Sequence, residues 1–173
     1  TTLFRSKTYA NLKYINKLYL KDQFLMIRDG DGKDPRELTR QLCRYYEDRN
    51  REDVDRLPRV TRKNVLILKY YSFENYFLNP RIMAMLGVVE SEDAFWEILF
   101  AKWKEYLHRL TSGKHLIQVL GHDLESIKDL QDHFESFKIY MRGHNLFDIF
   151  YGPFKDRETR ILKEYIRLAG RDE

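Results

Sequence analysis

Cysteine is nearly absent from the sequence: Cys43 is the single one among 173 residues. One cysteine excludes an internal disulfide framework and favours a reducing, cytoplasmic setting. No apolar run approaches the roughly 18 residues that would indicate a membrane-spanning helix, and no signal or transit peptide is recognisable. We therefore expect no membrane association.

Motifs of several enzyme classes are also missing. No Walker A sequence and no Gly-rich dinucleotide loop occurs, so the chain is not itself an ATPase. The histidines show no His-Glu-x-x-His spacing and have no cysteine companions, which argues against a zinc site. The five histidines are His108, His115, His122, His133 and His144.

Charge of one sign is not in large excess, because 31 basic and 27 acidic residues are mixed along the chain and give a net charge of +4. This balance permits contact with nucleic acid without requiring it. What the sequence does contain is a large apolar fraction of 43%, with 12 Tyr and 11 Phe. A chain of this length and composition can bury a substantial core, and we expect one globular domain.

The first half of the chain has the pattern of a strand–helix–strand unit. Residues 24–27 (FLMI) and 65–68 (VLIL) are short continuous apolar runs, typical of strands covered on both faces. Between them, Asp34 can cap a helix that has Pro35 in its first turn and Glu37 completing a capping box. Such a βαβ unit has parallel strands and a right-handed crossover.

Beyond residue 80, apolar residues recur at helical spacing instead. We expect helices at residues 80–86, 92–110, 124–137, 145–151 and 157–169, and an earlier one at residues 11–20. Ser91 is placed to cap the longest of these helices and Gly113 to end it. The expected fold class is α/β, with a partial parallel-sheet core in residues 1–80. A helical half, residues 81–173, is expected to pack on that core within the same domain.

Acidic and hydroxyl side chains follow both predicted strands. Asp29 and Asp31 come directly after the first strand, and Ser72 and Glu74 come shortly after the second. Parallel strands deliver the residues that follow them to the same edge of a sheet, so these side chains are expected to gather there. Carboxylates held so close repel one another unless a cation neutralises them, and oxygen ligands suit Mg²⁺ or Mn²⁺. Asp29, Asp31 and Glu74 are therefore candidate metal ligands.

Each motif also has an ordinary structural interpretation. Asp-Gly is the commonest pair in tight turns, so Asp29-Gly30-Asp31 can simply close a turn. Ser72 can cap a helix that leaves Glu74 exposed to solvent. At the level of sequence both interpretations stay open.

The two motifs together resemble the Toprim domain, and more narrowly its version in the OLD (overcoming lysogenization defect) nucleases. The similarity consists of an apolar strand ending in Asp-x-Asp, a crossover helix, and a strand followed by Ser-Phe-Glu-Asn-Tyr. It covers roughly residues 11–80, with a weaker likeness at Arg142-Gly143-His144. The resemblance implies a Mg²⁺- or Mn²⁺-dependent nuclease of phage defence that acts on nucleic acid, with DNA favoured. It also implies an ABC-type ATPase domain in the same chain or in a partner chain.

By this resemblance, Asp29 and Asp31 are metal ligands, Glu74 completes the metal cluster at the catalytic site, and Ser72 lies beside it. The family has a lysine after a glycine in the helical half, where this chain has His144 after Gly143. His144 would then assist at the scissile phosphate as a hydrogen-bond donor or general acid. The ordinary alternative is that His144 caps or fills space at the start of a helix.

The chain departs from the family at its N-terminus. Toprim domains open with a strand ending in Glu, inside a Glu-Gly-x-x-Asp-like element, and no such element precedes Asn11. The sequence begins TTLFRSK without an initiating Met, and we expect a C-terminal fragment of a longer protein. Without that Glu, one ion is better supported than a two-metal site. The competing expectation is a noncatalytic Toprim-like module that binds a partner or nucleic acid; either form is compatible with a homo-oligomer.

Overall fold

The computed structural model describes residues 24–52 and 60–170. The chain folds as two compact units, and the boundary between them lies between Leu68 and Lys69. The helix expected at residues 11–20 lies outside the described residues. The strands are β1 (Met26–Arg28) and β2 (Val65–Ile67). The helices are α1 (Pro35–Glu52), α2 (Pro80–Met85), α3 (Glu92–Glu105), α4 (Thr111–Leu120), α5 (Ile127–Asp132), α6 (Phe134–Tyr140), α7 (Gly143–Tyr151) and α8 (Glu158–Ala169).

The first unit contains the predicted strand–helix–strand arrangement. β1 and β2 pair in parallel, with Met26 opposite Val65 and Arg28 opposite Ile67. The backbone N–H of Leu68 donates to the carbonyl of Arg28 at 2.8 Å, which extends the pairing beyond β2. The prediction of two parallel strands joined through a helix is therefore confirmed.

Helix α1 begins where the sequence predicts. The N–H of Glu37 donates to Asp34 Oδ1 at 2.8 Å, so Asp34 is the N-cap. The carboxylate of Glu37 accepts from the side chains of Arg40 and Gln41 instead of completing the capping box. The cap thus depends on Asp34 alone.

One face of the small sheet is covered and the other is exposed. Tyr46 of α1 is buried and packs with a group that includes Met26 of β1. Side chains alternate along a strand, so the neighbours of Met26 point the opposite way. On that opposite side Ile27 and Leu66 keep 63% and 45% of their surface exposed. The expectation that these strands are covered on both faces is therefore wrong.

The second unit is helical in its described part and has a large aromatic core. Its largest fully buried side chains include Trp103, Tyr151, Phe95 and Phe137. The indole N–H of Trp103 donates to Asp123 Oδ1 at 2.8 Å, so the buried ring keeps its polar atom satisfied. None of the described helices is both long enough and apolar enough to cross a membrane.

Helix boundaries in the second unit follow the sequence in part. Ser91 caps α3 as expected, accepting from the N–H of Ala94 at 3.0 Å. The expected stop at Gly113 is wrong, because α3 ends at Glu105 and Gly113 lies inside α4. A Cβ atom at Gly113 would lie 2.1 Å from the carbonyl oxygen of Leu107. This glycine therefore serves close backbone packing, not helix termination.

Candidate functional site

The Asp-Gly-Asp segment forms a tight turn directly after β1. The N–H of Lys33 donates to the carbonyl of Gly30 at 2.9 Å. The two central residues both have left-handed backbones, with φ 52° at Asp31 and φ 65° at Gly32. This is the φ pattern of a type I′ turn, for which Asp-Gly is a favoured pair. The turn interpretation is confirmed, and it does not exclude a ligand role for the carboxylates.

Asp29, just before this turn, and Asp31, within it, are both accessible to a hydrated metal ion. Asp29 is half-buried, and the side chain of Asp31 is 40% exposed. Nη2 of Arg28 lies 3.6 Å from Oδ2 of Asp31, and Arg28 is itself 33% exposed. A half-exposed ion pair at this distance contributes little, so a divalent ion can compete with Arg28 for Asp31. Two carboxylates fit Mg²⁺, which usually keeps several of its waters.

Ser72 and Asn75 are buried in the second unit and bind each other. The Ser72 hydroxyl donates to Asn75 Oδ1 at 3.0 Å. The Asn75 amide donates to the carbonyls of Lys138 and Met141, at 2.9 Å each. These bonds fix the 3₁₀ turn Phe73–Phe77 against the end of α6. Ser72 is therefore bound internally and is not aimed at solvent.

Gly143 brings the Arg142-Gly143-His144 segment into contact with the Ser-Phe-Glu-Asn-Tyr motif. A Cβ atom at residue 143 would lie 1.8 Å from Asn75 Oδ1 and 2.4 Å from Ser72 Oγ, so only glycine fits there. The start of α7 consequently packs directly on the Ser-Phe-Glu-Asn-Tyr turn. Tyr151, at the end of α7, donates its hydroxyl proton to the carbonyl of Phe77 at 2.7 Å. Burial raises the pKa of Tyr151, which keeps the phenol a donor.

Glu74 and His144 lie beside these buried residues but reach solvent. Glu74 is half-buried, and no hydrogen bond or ion pair joins its carboxylate to another of the described residues. His144 is 65% exposed, and its Nε2 lies 3.4 Å from Oδ2 of Asp148, one helical turn further along α7. His144 does not cap the helix, since α7 has no side-chain cap. Both residues are accessible to a ligand.

The predicted site residues fall into both units. Asp29 and Asp31 belong to the first unit, and Ser72, Glu74 and His144 belong to the second. Within the second unit, Ser72 packs against Gly143, the residue directly before His144. The gathering of all the acids around one ion stays a prediction.

A histidine–aspartate group that sequence reasoning missed lies elsewhere in the second unit. His122, Asp129 and His133 each offer one donor atom within 4.8 Å of the other two. The signal available in the sequence was the spacing of Asp129 and His133, four positions apart, which places both on one face of a helix. The group matches neither the His-Glu-x-x-His pattern nor a cysteine-containing zinc motif.

No protein-family model, curated protein or solved structure matches this chain. The Toprim resemblance therefore rests on the motifs quoted above.

Proposed function

We propose that this chain carries a Mg²⁺- or Mn²⁺-dependent phosphodiester hydrolase module of the OLD-like Toprim type, acting on nucleic acid, with DNA favoured. The observation that supports the proposal is the parallel pairing of β1 and β2 with an Asp-Gly-Asp turn directly after β1. Carboxyl ends of parallel strands are where open α/β sheets bind their ligands. An ABC-type ATPase domain would be its partner, in the same chain or another.

Asp29 and Asp31 are the proposed ligands of the first unit, and Glu74 is the proposed third carboxylate. A bound divalent ion would supply positive charge at the phosphate and lower the pKa of a bound water. Asp31 would hold the ion from a turn whose backbone is already fixed by the Gly30–Lys33 hydrogen bond, and Asp29 would hold it from the position just before that turn. Such a fixed turn reduces the cost of ordering the ligands when the ion binds.

His144 is the proposed hydrogen-bond donor to the phosphate, and Ser72 is a positioning residue. The exposed imidazole of His144 lies on the first turn of α7, where a donor can reach a ligand. The Ser72 hydroxyl already donates to Asn75, so it would act by holding the turn against Gly143 and not by touching the phosphate. Ser72 would thus support the placement of the phosphate through the fold.

Nicking of supercoiled plasmid with Mn²⁺ or Mg²⁺ tests the proposal. Asp31→Asn removes the charge and keeps a residue type that tolerates a left-handed backbone. We expect this variant and Glu74→Gln each to lower the nicking rate by at least about tenfold, since even outer-shell changes at metal sites cost that much. Asp48→Asn, at an exposed carboxylate of α1, is the matched control and should leave the rate unchanged. Equal rates in all four proteins would remove the metal-ligand assignment.

A noncatalytic binding module is the second candidate function, and one observation favours it. Ser72 and Asn75 are the most buried residues of the Ser-Phe-Glu-Asn-Tyr motif. The side chains of both make hydrogen bonds that stabilise the fold. A motif of this kind could therefore be explained by packing alone. Titration calorimetry separates the two functions: DNA binding without Mn²⁺ binding, and without nicking, would support this second function.

A further inference from the structure

Outside the proposed hydrolase site, the described side chains best placed to bind a metal ion are His122, Asp129 and His133. His122 follows α4, Asp129 lies in the first turn of α5, and His133 separates α5 from α6. The two imidazole rings have centroids 5.3 Å apart, with their planes at 73°. Three elements thus converge on a half-exposed position where each contributes one metal-ligating side chain.

Asp129 is held in place before any ion binds. Its Oδ2 accepts from the N–H of Glu125 at 3.1 Å, and its own N–H donates to the Ser126 hydroxyl at 3.1 Å. Nδ1 of His133 lies 3.0 Å from Asp129 Oδ1. The side chain of Asp129 is only 21% exposed, so the carboxylate keeps a defined orientation. A fixed carboxylate is what an ion site requires of its anionic ligand.

The histidine rings are oriented by backbone carbonyls. Nδ1 of His122 lies 2.9 Å from the carbonyl of Asp123, and Nδ1 of His133 lies 2.9 Å from the carbonyl of Asp129. A carbonyl only accepts, so in the neutral rings Nδ1 carries the proton and Nε2 keeps a lone pair. At metal sites, a ligating histidine usually donates its other ring N–H to a carboxylate, a backbone carbonyl or a water.

The surroundings and the remaining geometry also suit a cation. The segment 122–133 contains four acidic residues and one lysine, Lys128, which pairs with Asp132. In a tetrahedral site with bonds of about 2.0–2.1 Å, donor atoms stand roughly 3.4 Å apart. The donor atoms of this group lie within 4.8 Å of one another, so they must draw together by up to about 1.4 Å. The side chain of His122 is 47% exposed and has room to make that adjustment.

We propose that His122, Asp129 and His133 bind one divalent transition-metal ion of the Zn²⁺ class, with water at the remaining positions. Imidazole nitrogen favours Zn²⁺, Ni²⁺ or Cu²⁺ over Mg²⁺, which prefers oxygen ligands. The bound ion joins the end of α4 to the α5–α6 junction and so stabilises the second unit. This site shares no residue with the proposed phosphodiester hydrolase site.

Zinc binding by the tag-free 173-residue chain tests the site. Titration calorimetry with Zn²⁺, and the visible absorption of bound Co²⁺, should show one ion per chain. His122→Ala should weaken Zn²⁺ binding by at least about tenfold. His115→Ala is the matched control, because His115 is another exposed histidine, on α4 beside Tyr140, and should bind Zn²⁺ like the unchanged chain.

Thermal unfolding gives a second measurement that does not depend on catalysis. Zn²⁺ should raise the unfolding temperature of the unchanged chain and of Asp31→Asn, but not that of His122→Ala or Asp129→Asn. Retained zinc binding in Asp31→Asn with lost nicking would separate the two sites. Absence of saturable binding, or equal binding in His122→Ala and His115→Ala, would overturn the proposal and leave a hydrogen-bonded cluster only.

Discussion

Gly143 lies so close to Asn75 that a Cβ atom at residue 143 would come within 1.8 Å of the Asn75 amide oxygen. The two residues are 68 positions apart in the sequence, and their contact joins the start of α7 to the 3₁₀ turn Phe73–Phe77. Asn75 is 1% exposed and cannot move aside without breaking its bonds to Lys138 and Met141. The resulting close contact leads to the first two predictions.

Gly143→Ala should destabilise the second unit by about 3 kcal/mol, because overpacking against fixed neighbours typically costs about 1–3 kcal/mol and this contact is very close. At an ordinary helix position the same change would be favourable by roughly 1 kcal/mol. The sign of the effect therefore tests the contact. Urea unfolding followed by tryptophan fluorescence measures it, since Trp103 lies in this unit.

Gly170→Ala is the matched control for Gly143→Ala. Gly170 has φ −75°, and a Cβ there would lie 3.5 Å from the carbonyl oxygen of Ile166, an ordinary van der Waals contact. We expect this substitution to leave the free energy of unfolding unchanged or to raise it by about 0.5 kcal/mol. Equal effects of the two substitutions would show that residue 143 is not closely packed.

Asn75→Asp should lower the free energy of unfolding by at least about 2 kcal/mol, because a carboxylate cannot donate to the carbonyls of Lys138 and Met141. It also adds a buried charge beside two carbonyl oxygens. Glu74→Gln, at the adjacent half-exposed position, should leave stability within about 0.5 kcal/mol. Chemical denaturation of both variants gives the comparison, and an unchanged Asn75→Asp midpoint would contradict the hydrogen-bonding pattern.

Glu135 provides a pH-dependent contribution to stability. Burial raises the pKa of Glu135, but hydrogen bonds from Lys138 and Lys69 outweigh it and hold the pKa at about 2, below the ordinary 4.5. A depressed pKa means that the stabilisation is complete above pH 4.5 and is lost as the pH falls towards 2. The Glu135 side chain is 58% exposed, so solvent screening limits the contribution to about 1 kcal/mol or less.

Glu135→Gln should therefore be less stable than the unchanged chain at pH 7, and the difference should shrink towards zero near pH 2. Glu97→Gln, at an exposed glutamate of α3, is the control and should show no such difference. Guanidinium chloride would screen these ion pairs, so urea unfolding at low salt is the suitable measurement. A difference that stays constant from pH 7 to pH 2 would rule out the charge as its cause.

The left-handed backbone at Asp31 predicts different effects for two substitutions that both remove its carboxylate. Asp31→Ala should cost about 1 kcal/mol from the backbone alone, whereas Asp31→Asn should cost less, because asparagine tolerates φ 52°. Thermal unfolding of the two variants without added metal measures this difference. If both unfold at the same temperature, the turn is not the one described.

The sequence predicted the elements that depend on local pattern. The apolar runs at 24–27 and 65–68 gave β1 and β2, and the cap at Asp34 gave the start of α1, because periodicity and capping act within a few residues. Gly113 was misread since its role depends on the carbonyl of Leu107, a contact made only when the turn before α4 packs on that helix.

Features that depend on distant contacts could not be predicted in the same way. Nothing in the spacing of Asn75 and Gly143 indicates that they touch. The exposed sides of Ile27 and Leu66 were missed because a short apolar run does not reveal which face is covered. His122 was missed because its position beside Asp129 and His133 depends on the backbone at Gly121, which has φ 81°. Residue spacing alone does not indicate this.

The bonds of Asn75 also limit how far the second unit can be shortened. Its partners are the carbonyls of Lys138 and Met141, and the same turn receives the hydroxyl of Tyr151 through Phe77. A shortened protein that stops before Lys138 would leave the Asn75 amide without acceptors. One that stops before Tyr151 would leave the carbonyl of Phe77 without its hydroxyl donor. The N–H of Asn79 also donates to the hydroxyl of buried Tyr165 at 2.9 Å. Truncation and domain-swapping experiments should therefore keep the stretch from Lys69 to at least Tyr165 in one piece.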